Sequence, residues 1–329
     1  MTRRLAAAHE RFALHTPFRI SRGVKDAANV VTVTIRDGEA IGRGEGVPYP
    51  RYGESVEGVL AAVEGVRGAV EAGADRQALL ALLPAGAARN AVDCALWDLE
   101  ARLAGRSVSA MLGGPLPDGI TSALTIGIDT PEAMAEAAGR VAYAPLIKVK
   151  VDAFAPASQL RAVRGAAPGA ALIVDPNESW DAGIAAAMRP VLVEARVALL
   201  EQPAPAEADA WLDGFDAGAP VCADESVHVA DDLDALGGRY GVVNVKLDKA
   251  GGLTAGLALA KAARARGLGV MTGCMVSTSL SIAPAMQVAA VSDFVDLDGP
   301  LWLREDRAGG VRDKRGVLTR PAAGFWGEP

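Results

Sequence analysis

Hydrophobic and polar positions follow two textures along the chain. In the first third, strand and helix periods mix. Val30 to Ile35 is rich in β-branched residues, Asp37-Gly38 follows with turn chemistry, and Ala40 to Gly46 resumes, which predicts a β-hairpin. Glu54 to Glu71 reads as a helix. Ala91 to Leu103 is clearer: Val92, Leu96, Leu99 and Leu103 recur at helical spacing, and Gly105 supplies a stop. From about residue 120, short apolar runs alternate with Ala-rich helical stretches. The runs are Ala123–Gly127, Leu146–Lys150, Ala171–Asp175, Ala198–Glu201, Val221–Asp224, Val242–Lys246, Leu268–Thr272 and Phe294–Asp298. They start about 20 to 27 residues apart, the length of a strand plus a crossover helix.

Eight strands in series joined by helices predict a parallel (β/α) barrel. A solenoid is disfavoured, because the runs share only a polar ending. An open doubly wound sheet calls for a glycine-rich phosphate turn after its first strand, and no G-x-G-x-x-G follows a strand here. The last thirty residues carry no further barrel helix and are expected to return to the first domain. The expected organisation is a capping α+β domain over residues 1–115, joined by about 303–329, and a barrel over 116–302.

The length of 329 residues suits a barrel with an accessory domain, and a 50% hydrophobic composition allows a large core. The net charge of -7 and the scattered Lys and Arg residues give no footprint for nucleic acid. Glu10 and Arg11 interrupt the N-terminal stretch before it reaches signal-peptide length. No run of about 18 uncharged apolar residues occurs, so no membrane span is expected. Cys94, Cys222 and Cys274 are odd in number and far apart, which argues against a disulfide framework and fits a reducing cytoplasm. A homo-oligomer stays open.

Six of the eight runs end in an ionisable residue: Lys150, Asp175, Glu201, Asp224, Lys246 and Asp298. In a barrel the C-terminal strand ends form the active-site mouth. Asp175, Glu201 and Asp224 fall on three adjacent strands. Three oxygen ligands without His or Cys suit a hard cation, Mg²⁺ by default with Mn²⁺ as an alternative. Three separate salt bridges are the plain alternative. Lys150 and Lys246 fall on the second and sixth strands, which face each other across a ring of eight. A carbon held between them can lose a proton to one lysine and regain one from the other on its opposite face. A nearby metal charge and partial burial are expected to favour the neutral amine, and Lys148, two residues before Lys150 on the same strand face, adds a like charge. A proton next to a carboxylate is a very weak acid, and a bound divalent cation stabilises the enediolate left by its removal.

K-x-K at Lys148 and Lys150, D-x-N-E-S-W at Asp175 to Trp180, L-E-Q-P at Leu200 to Pro203, A-D-E-S at Ala223 to Ser226 and N-V-K-L-D-K at Asn244 to Lys249 resemble the enolase superfamily in its muconate lactonizing branch. PYPRYGES at Pro48 to Ser55 and LPAGAARN at Leu83 to Asn90 extend the resemblance over nearly the whole chain. Within the branch, D-x-D at Asp296 and Asp298 is similar to L-Ala-D/L-Glu epimerases. The resemblance implies a capping α+β domain and a modified (β/α)₇β TIM barrel. It implies Mg²⁺ on Asp175, Glu201 and Asp224, with Lys150 and Lys246 as acid/base catalysts. In dipeptide epimerases the D-x-D carboxylates hold the α-ammonium group, and residues two apart on a strand share a face. Pro176 departs from the family pattern, where a small residue usually follows the ligand; Asn177 remains available behind Asp175.

Arg22 and Lys25 fall in the segment where these enzymes carry a mobile loop, and are candidates to neutralise a glutamyl side chain. Thr125 and Cys274 resemble substrate-contacting positions. Glu225 is a candidate to orient a catalytic lysine, and His228 reads as structural. Gly251-Gly252 is a weak phosphate signal. These readings lead to epimerisation of a dipeptide, with L-Ala-D/L-Glu from cell-wall peptides as the substrate. Cycloisomerisation, o-succinylbenzoate synthesis and N-acylamino acid racemisation are the alternatives within the branch, and their substrates lack the ammonium. A mandelate-racemase-like site needs a His on the seventh strand, and Leu268 to Met275 has none. An inactive barrel with a binding or structural role is the alternative outside enzymes.

Overall fold

The computed structural model of the chain describes residues 3–21 and 23–329. It opens with three antiparallel strands, β1 (Arg4–Ile20), β2 (Gly23–Asp37) and β3 (Ala40–Gly46). β2 and β3 form the expected hairpin, with Gly38 at φ 60° in its turn. β1 has no counterpart in the periodicity. It is an edge strand that buries only Leu5 and Leu14, so its sequence carries little apolar alternation.

Helices α1 (Val56–Glu71), α2 (Arg76–Leu82) and α3 (Ala87–Ala104) cover this sheet. Ser55 caps α1 by accepting the Gly58 N–H, which places the start of the expected helix at Val56. α3 begins earlier than its periodicity suggested and stops at Gly105 in the left-handed conformation. Its backbone lies directly on β3. A Cβ at Gly42, Gly44 or Gly46 would come within 2.1 to 2.2 Å of a carbonyl oxygen of α3.

After α4 (Val108–Met111) and β4 (Gly119–Thr121), the chain alternates through β5 (Leu124–Ile126), α5 (Pro131–Arg140), β6 (Leu146–Lys150), α6 (Pro156–Ala166), β7 (Ala171–Asp175), α7 (Ala182–Glu194) and β8 (Val197–Glu201). It continues through β9 (Val221–Ala223), α8 (Leu233–Leu236), β10 (Val242–Lys246), α9 (Leu247–Ala250), α10 (Leu253–Ala265), β11 (Gly269–Gly273), α11 (Ser279–Ala289) and β12 (Phe294–Asp296). The strands from β5 to β12 pair in parallel in chain order. The Ala123 N–H donates to Val295 O at 2.8 Å and brings the two ends of the sheet together. The architecture is the expected α/β one, an N-terminal sheet and helices followed by an eight-stranded, nearly closed parallel barrel.

The pleat explains how a charged layer is buried. Leu146, Ile173, Leu199, Cys222, Val242 and Met271 pack together as an apolar plug. Two or four residues further along the same strand faces stand Lys148, Lys150, Asp175, Glu201, Asp224, Asn244 and Lys246. The alternate positions Ile147, Val149, Leu172, Val174 and Leu200 pack in the larger cluster with the helices.

Two features differ from the expectation. The connection from β8 to β9 has two short 3-10 turns, Ala206–Ala208 and Ala210–Leu212, in place of a helix; Pro203, Pro205, Gly214 and Gly218 interrupt any longer run. β12 stops at Asp296, and Asp298 instead caps a 3-10 turn, Gly299–Trp302.

β13 (Arg312–Asp313) and β14 (Val317–Thr319) pair with each other, and β14 pairs with β4. Trp326 Nε1 donates to Arg43 O at 3.0 Å and Cys94 O at 3.2 Å, so the last residues pack on β3 and α3. Leu303 bridges to Leu14 on β1. α3 also docks on the barrel. Arg89 donates to Ala250 O at 2.7 Å and Gly251 O at 3.1 Å, and Asp93 accepts the Thr254 N–H at 2.9 Å. A Cβ at Gly251 would meet Arg89 at 2.4 Å, and one at Gly252 would meet Asp93 at 2.4 Å. This close approach of α3 accounts for the glycine pair without a phosphate. Among the described residues, no helix is long and apolar enough to cross a membrane.

Candidate active site

The charged layer opens into a cavity between the barrel mouth and the N-terminal sheet. Thr125, Lys148, Lys150, Asn177, Glu225, Lys246, Cys274, Asp296 and Asp298 line it from the barrel. Phe18, Ile20, Lys25, Tyr49 and Tyr52 roof it. Asp175, Glu201 and Asp224 lie beneath, fully buried. Arg22 lies outside the described residues, and Lys25 places its ammonium 4.4 Å from the Tyr49 ring centroid.

The lysines and carboxylates interlock. Lys148 Nζ lies 2.8 Å from Asp296, 2.7 Å from Glu201 and 3.1 Å from Asp175. Lys150 Nζ lies 2.5 Å from Asp175, and Lys246 Nζ lies 2.6 Å from Asp224. On the far side of Asp224, Lys249 Nζ sits 2.6 Å from Oδ1 and donates to Val227 O at 2.9 Å. Lys150 and Lys246 end the second and sixth of eight strands, so they approach the cavity from opposite sides of the ring.

At the other end of the cavity, Asp298 accepts the Thr125 N–H at 2.7 Å. Thr125 Oγ1 reaches Asp296 at 3.5 Å, which brings both aspartates to one place even though Asp298 is off the strand. Burial pushes the Asp298 carboxyl up, and the charge of Asp296 adds to the effect. The Cys274 thiol borders the same corner, held neutral by burial and by both aspartates.

Burial alone favours a neutral amine on Lys246, but Asp224 overrides it and holds the ammonium well above the ordinary lysine range; Asp296, Glu201 and Asp175 do the same for Lys148. The same contacts hold Asp224 and Asp175 below the carboxylate range against burial. Glu201 is pushed up by burial and by Asp175, although Lys148 is close.

Among the described residues, no three acidic, His or Cys side chains already close around a single point. Lysine ammonium groups lie between the carboxylates instead, standing where a cation fits. The donor set nonetheless suits a hard divalent ion. Glu201 Oε2 and Asp224 Oδ1 are within ion-pair distance of a lysine, yet neither receives a well-directed hydrogen bond. Asp175, Glu201 and Asp224 offer carboxylate oxygens alone, the donor type that a hard divalent ion takes.

Several supporting residues were not singled out by the strand-end pattern. Gln202 Oε1 accepts the Asp224 N–H at 2.8 Å and the Ser226 N–H at 3.1 Å, tying the ends of β8 and β9 together. Asn244 Nδ2 donates to Glu201 at 2.9 Å. Asn177 donates its N–H to Asp175 at 2.8 Å, so Pro176 leaves that turn intact. Gln202, Asn244 and Lys249 lie inside the motifs quoted above, and their burial is the signal that sets them apart. His228 packs edge-on against Tyr52 with ring centroids 4.5 Å apart, as a structural residue would.

Residues 132–324 match the family described as Enolase C-terminal domain-like, and residues 2–113 match the Mandelate racemase / muconate lactonizing enzyme, N-terminal domain. The chain belongs to the enolase superfamily. The L-Ala-D/L-Glu epimerase of Escherichia coli (strain K12) is 48% identical over 299 residues, covering 90% of this chain and 93% of that protein. The N-acetyl-D-glutamate racemase of Pseudoalteromonas sp. is 41% identical over 302 residues, covering 91% and 95%. An enolase family member from Agrobacterium tumefaciens with homology to dipeptide epimerases, solved with sodium and L-Ala-L-Glu, superposes with a TM-score of 0.96 at 46% identity, over 99% of this chain and 100% of that one. The dipeptide epimerase of Enterococcus faecalis V583, solved with Mg and L-Leu-L-Tyr, gives a TM-score of 0.89 at 27% identity over 98% of each chain.

Proposed function

We propose that this superfamily member is a Mg²⁺-dependent dipeptide epimerase that inverts the α-carbon of the C-terminal residue, with L-Ala-D/L-Glu as its substrate. The observation that carries the reading is the pair of lysines facing each other across a cavity whose far end presents Asp296 and Asp298. Asp175, Glu201 and Asp224 would hold the cation. When bound, it supplies positive charge to the substrate carboxylate as the neighbouring carbon is deprotonated. The protein does the rest. Lys150 and Lys246 address opposite faces of the α-carbon, one removing a proton while the other delivers one. Asp296 and Asp298 accept the dipeptide ammonium, Thr125 fixes their orientation, and Lys25, with Arg22, balances the glutamyl carboxylate. Asn177 holds Asp175, and Glu225 adds its charge beside Lys246.

A pathway that recycles cell-wall peptides, in the cytoplasm, fits the name of the Escherichia coli relative and the scattered cysteines. The relative from Pseudoalteromonas favours a second reading, racemisation of an N-acylated glutamate. Incubation in D₂O with Mg²⁺ separates the two. Deuterium at the glutamyl α-carbon of L-Ala-L-Glu supports the dipeptide reading. Deuterium in N-acetyl-glutamate but not in the dipeptide would reassign the substrate, and none in either would remove the epimerase reading.

A further inference from the structure

One ion pair joins the roof of the cavity to its floor. β7 ends at Asp175, and the chain then passes through Asn177 and Glu178 with φ of 48° and 66°. Two successive non-glycine residues in the left-handed region are an unfavourable backbone shape that surrounding contacts must hold. The Glu178 N–H donates to Gln202 O at 2.9 Å. The Glu178 carboxylate receives a fork from Arg51, with Nε at 3.0 Å and Nη2 at 2.9 Å, and the Ala206 N–H at 3.0 Å. Ser21 Oγ donates to Asn177 O at 3.0 Å. Arg51 and Ser21 both come from the N-terminal domain, so that domain reaches into the barrel at this turn.

The turn matters because of what it aims. Asn177 contacts Asp175 twice, through its N–H at 2.8 Å and through Nδ2 at 3.3 Å. Arg51 matters because of what flanks it. It sits in the 3-10 turn Pro50–Tyr52, and Tyr49 and Tyr52 on either side roof the cavity. The Glu178 side chain is only 7% exposed, and a two-point fork from a planar guanidinium fixes direction as well as distance.

We propose that Arg51 and Glu178 form a positioning latch that holds the left-handed turn aiming Asn177 at Asp175 and, through the same contact, seats Tyr49 and Tyr52 over the substrate. Cation affinity and substrate affinity are thereby set together. The inference rests on the reading of Asp175 as a cation ligand.

The test uses the full-length enzyme, with Mn²⁺ binding followed by electron paramagnetic resonance and L-Ala-L-Glu kinetics measured in parallel. Glu178→Gln and Arg51→Met are each expected to weaken Mn²⁺ binding roughly tenfold and to raise KM by a similar factor. The double variant is expected to be no worse than Arg51→Met alone, which also loses the contact of Arg51 with the exposed Glu207 at 2.8 Å, because both changes cut the same fork. Arg51→Lys, which keeps the charge but loses the fork, is expected to fall in between, and it carries the test if Glu178→Gln does not fold. Mn²⁺ affinity unchanged in both single variants, or additive losses in the double, would overturn the latch. A wild type that binds Mn²⁺ but turns over no dipeptide would remove the functional reading and leave the Mn²⁺ comparison to decide the latch. A wild type that binds no Mn²⁺ would remove both.

Discussion

A lysine at the end of a strand has one proton to exchange and a fixed direction in which to exchange it. Lys150 and Lys246 are each anchored to a different carboxylate, so neither can cross the cavity to replace the other. Lys150→Ala and Lys246→Ala are each expected to lower epimerisation by roughly 10²–10⁴-fold. Each should still exchange the α-proton of one epimer with D₂O, the two variants choosing opposite epimers; proton NMR of each epimer separately checks this. At the other end of the cavity, Asp298→Asn removes a carboxylate that the proposed function pairs with the dipeptide ammonium. It is expected to raise KM for L-Ala-L-Glu by about tenfold or more, equivalent to a charged hydrogen bond of roughly 1.5–3 kcal/mol. N-acetyl-glutamate, which has no ammonium, should respond little; steady-state kinetics with both substrates checks the difference. These residues stand out in the sequence because each is a charge that closes a mainly apolar run. Gln202, Asn244 and Arg51 do not, because they act through other side chains. The Arg51 to Glu178 pairing spans elements that no local pattern connects.

At the scale of elements, the docking of α3 on α9 and α10 buries polar groups away from the cavity. Burial pushes the Asp93 carboxyl up to about 6 and the Asp248 carboxyl up to about 7, against hydrogen bonds from Thr254 in one case and Val47 and Asn90 in the other. A carboxyl whose folded pKa lies above its unfolded value of 3.8 keeps a proton that the unfolded chain has lost. The contribution of this interface to stability therefore falls as pH rises from the unfolded value to about 7, then levels off. Asp248→Asn is expected to flatten that fall, as checked by urea unfolding at about pH 5 and pH 8. Gly252→Ala places a methyl group against Asp93 on a backbone with φ 112°. It is expected to destabilise by about 1–3 kcal/mol from overpacking, with the backbone strain in addition, as read by the same unfolding experiment. The barrel strands are legible because a strand covered on both faces leaves a compact apolar run. β1 escapes notice because one edge strand with a wet face does not, and the missing helix after β8 is hidden by an Ala-rich stretch whose prolines decide its shape.

For the whole molecule, the proposed cation site predicts that folding is coupled to cation binding. A folded chain gathers Asp175, Glu201 and Asp224 from three strands, whereas an unfolded one separates them. Mg²⁺ at about a hundred times its dissociation constant is expected to add roughly 2.7 kcal/mol to stability. A melting temperature several degrees higher with Mg²⁺ than with a chelator would show it, and Asp224→Asn should abolish the difference. A second consequence concerns synthesis. Trp326 closes over β3 and α3 by donating to the carbonyls of Arg43 and Cys94, residues made more than two hundred positions earlier. At about 5–20 residues per second, roughly 10 to 45 seconds separate the emergence of α3 from that of its cover. During that interval the growing chain lacks the two hydrogen bonds by which Trp326 ties itself to β3 and α3.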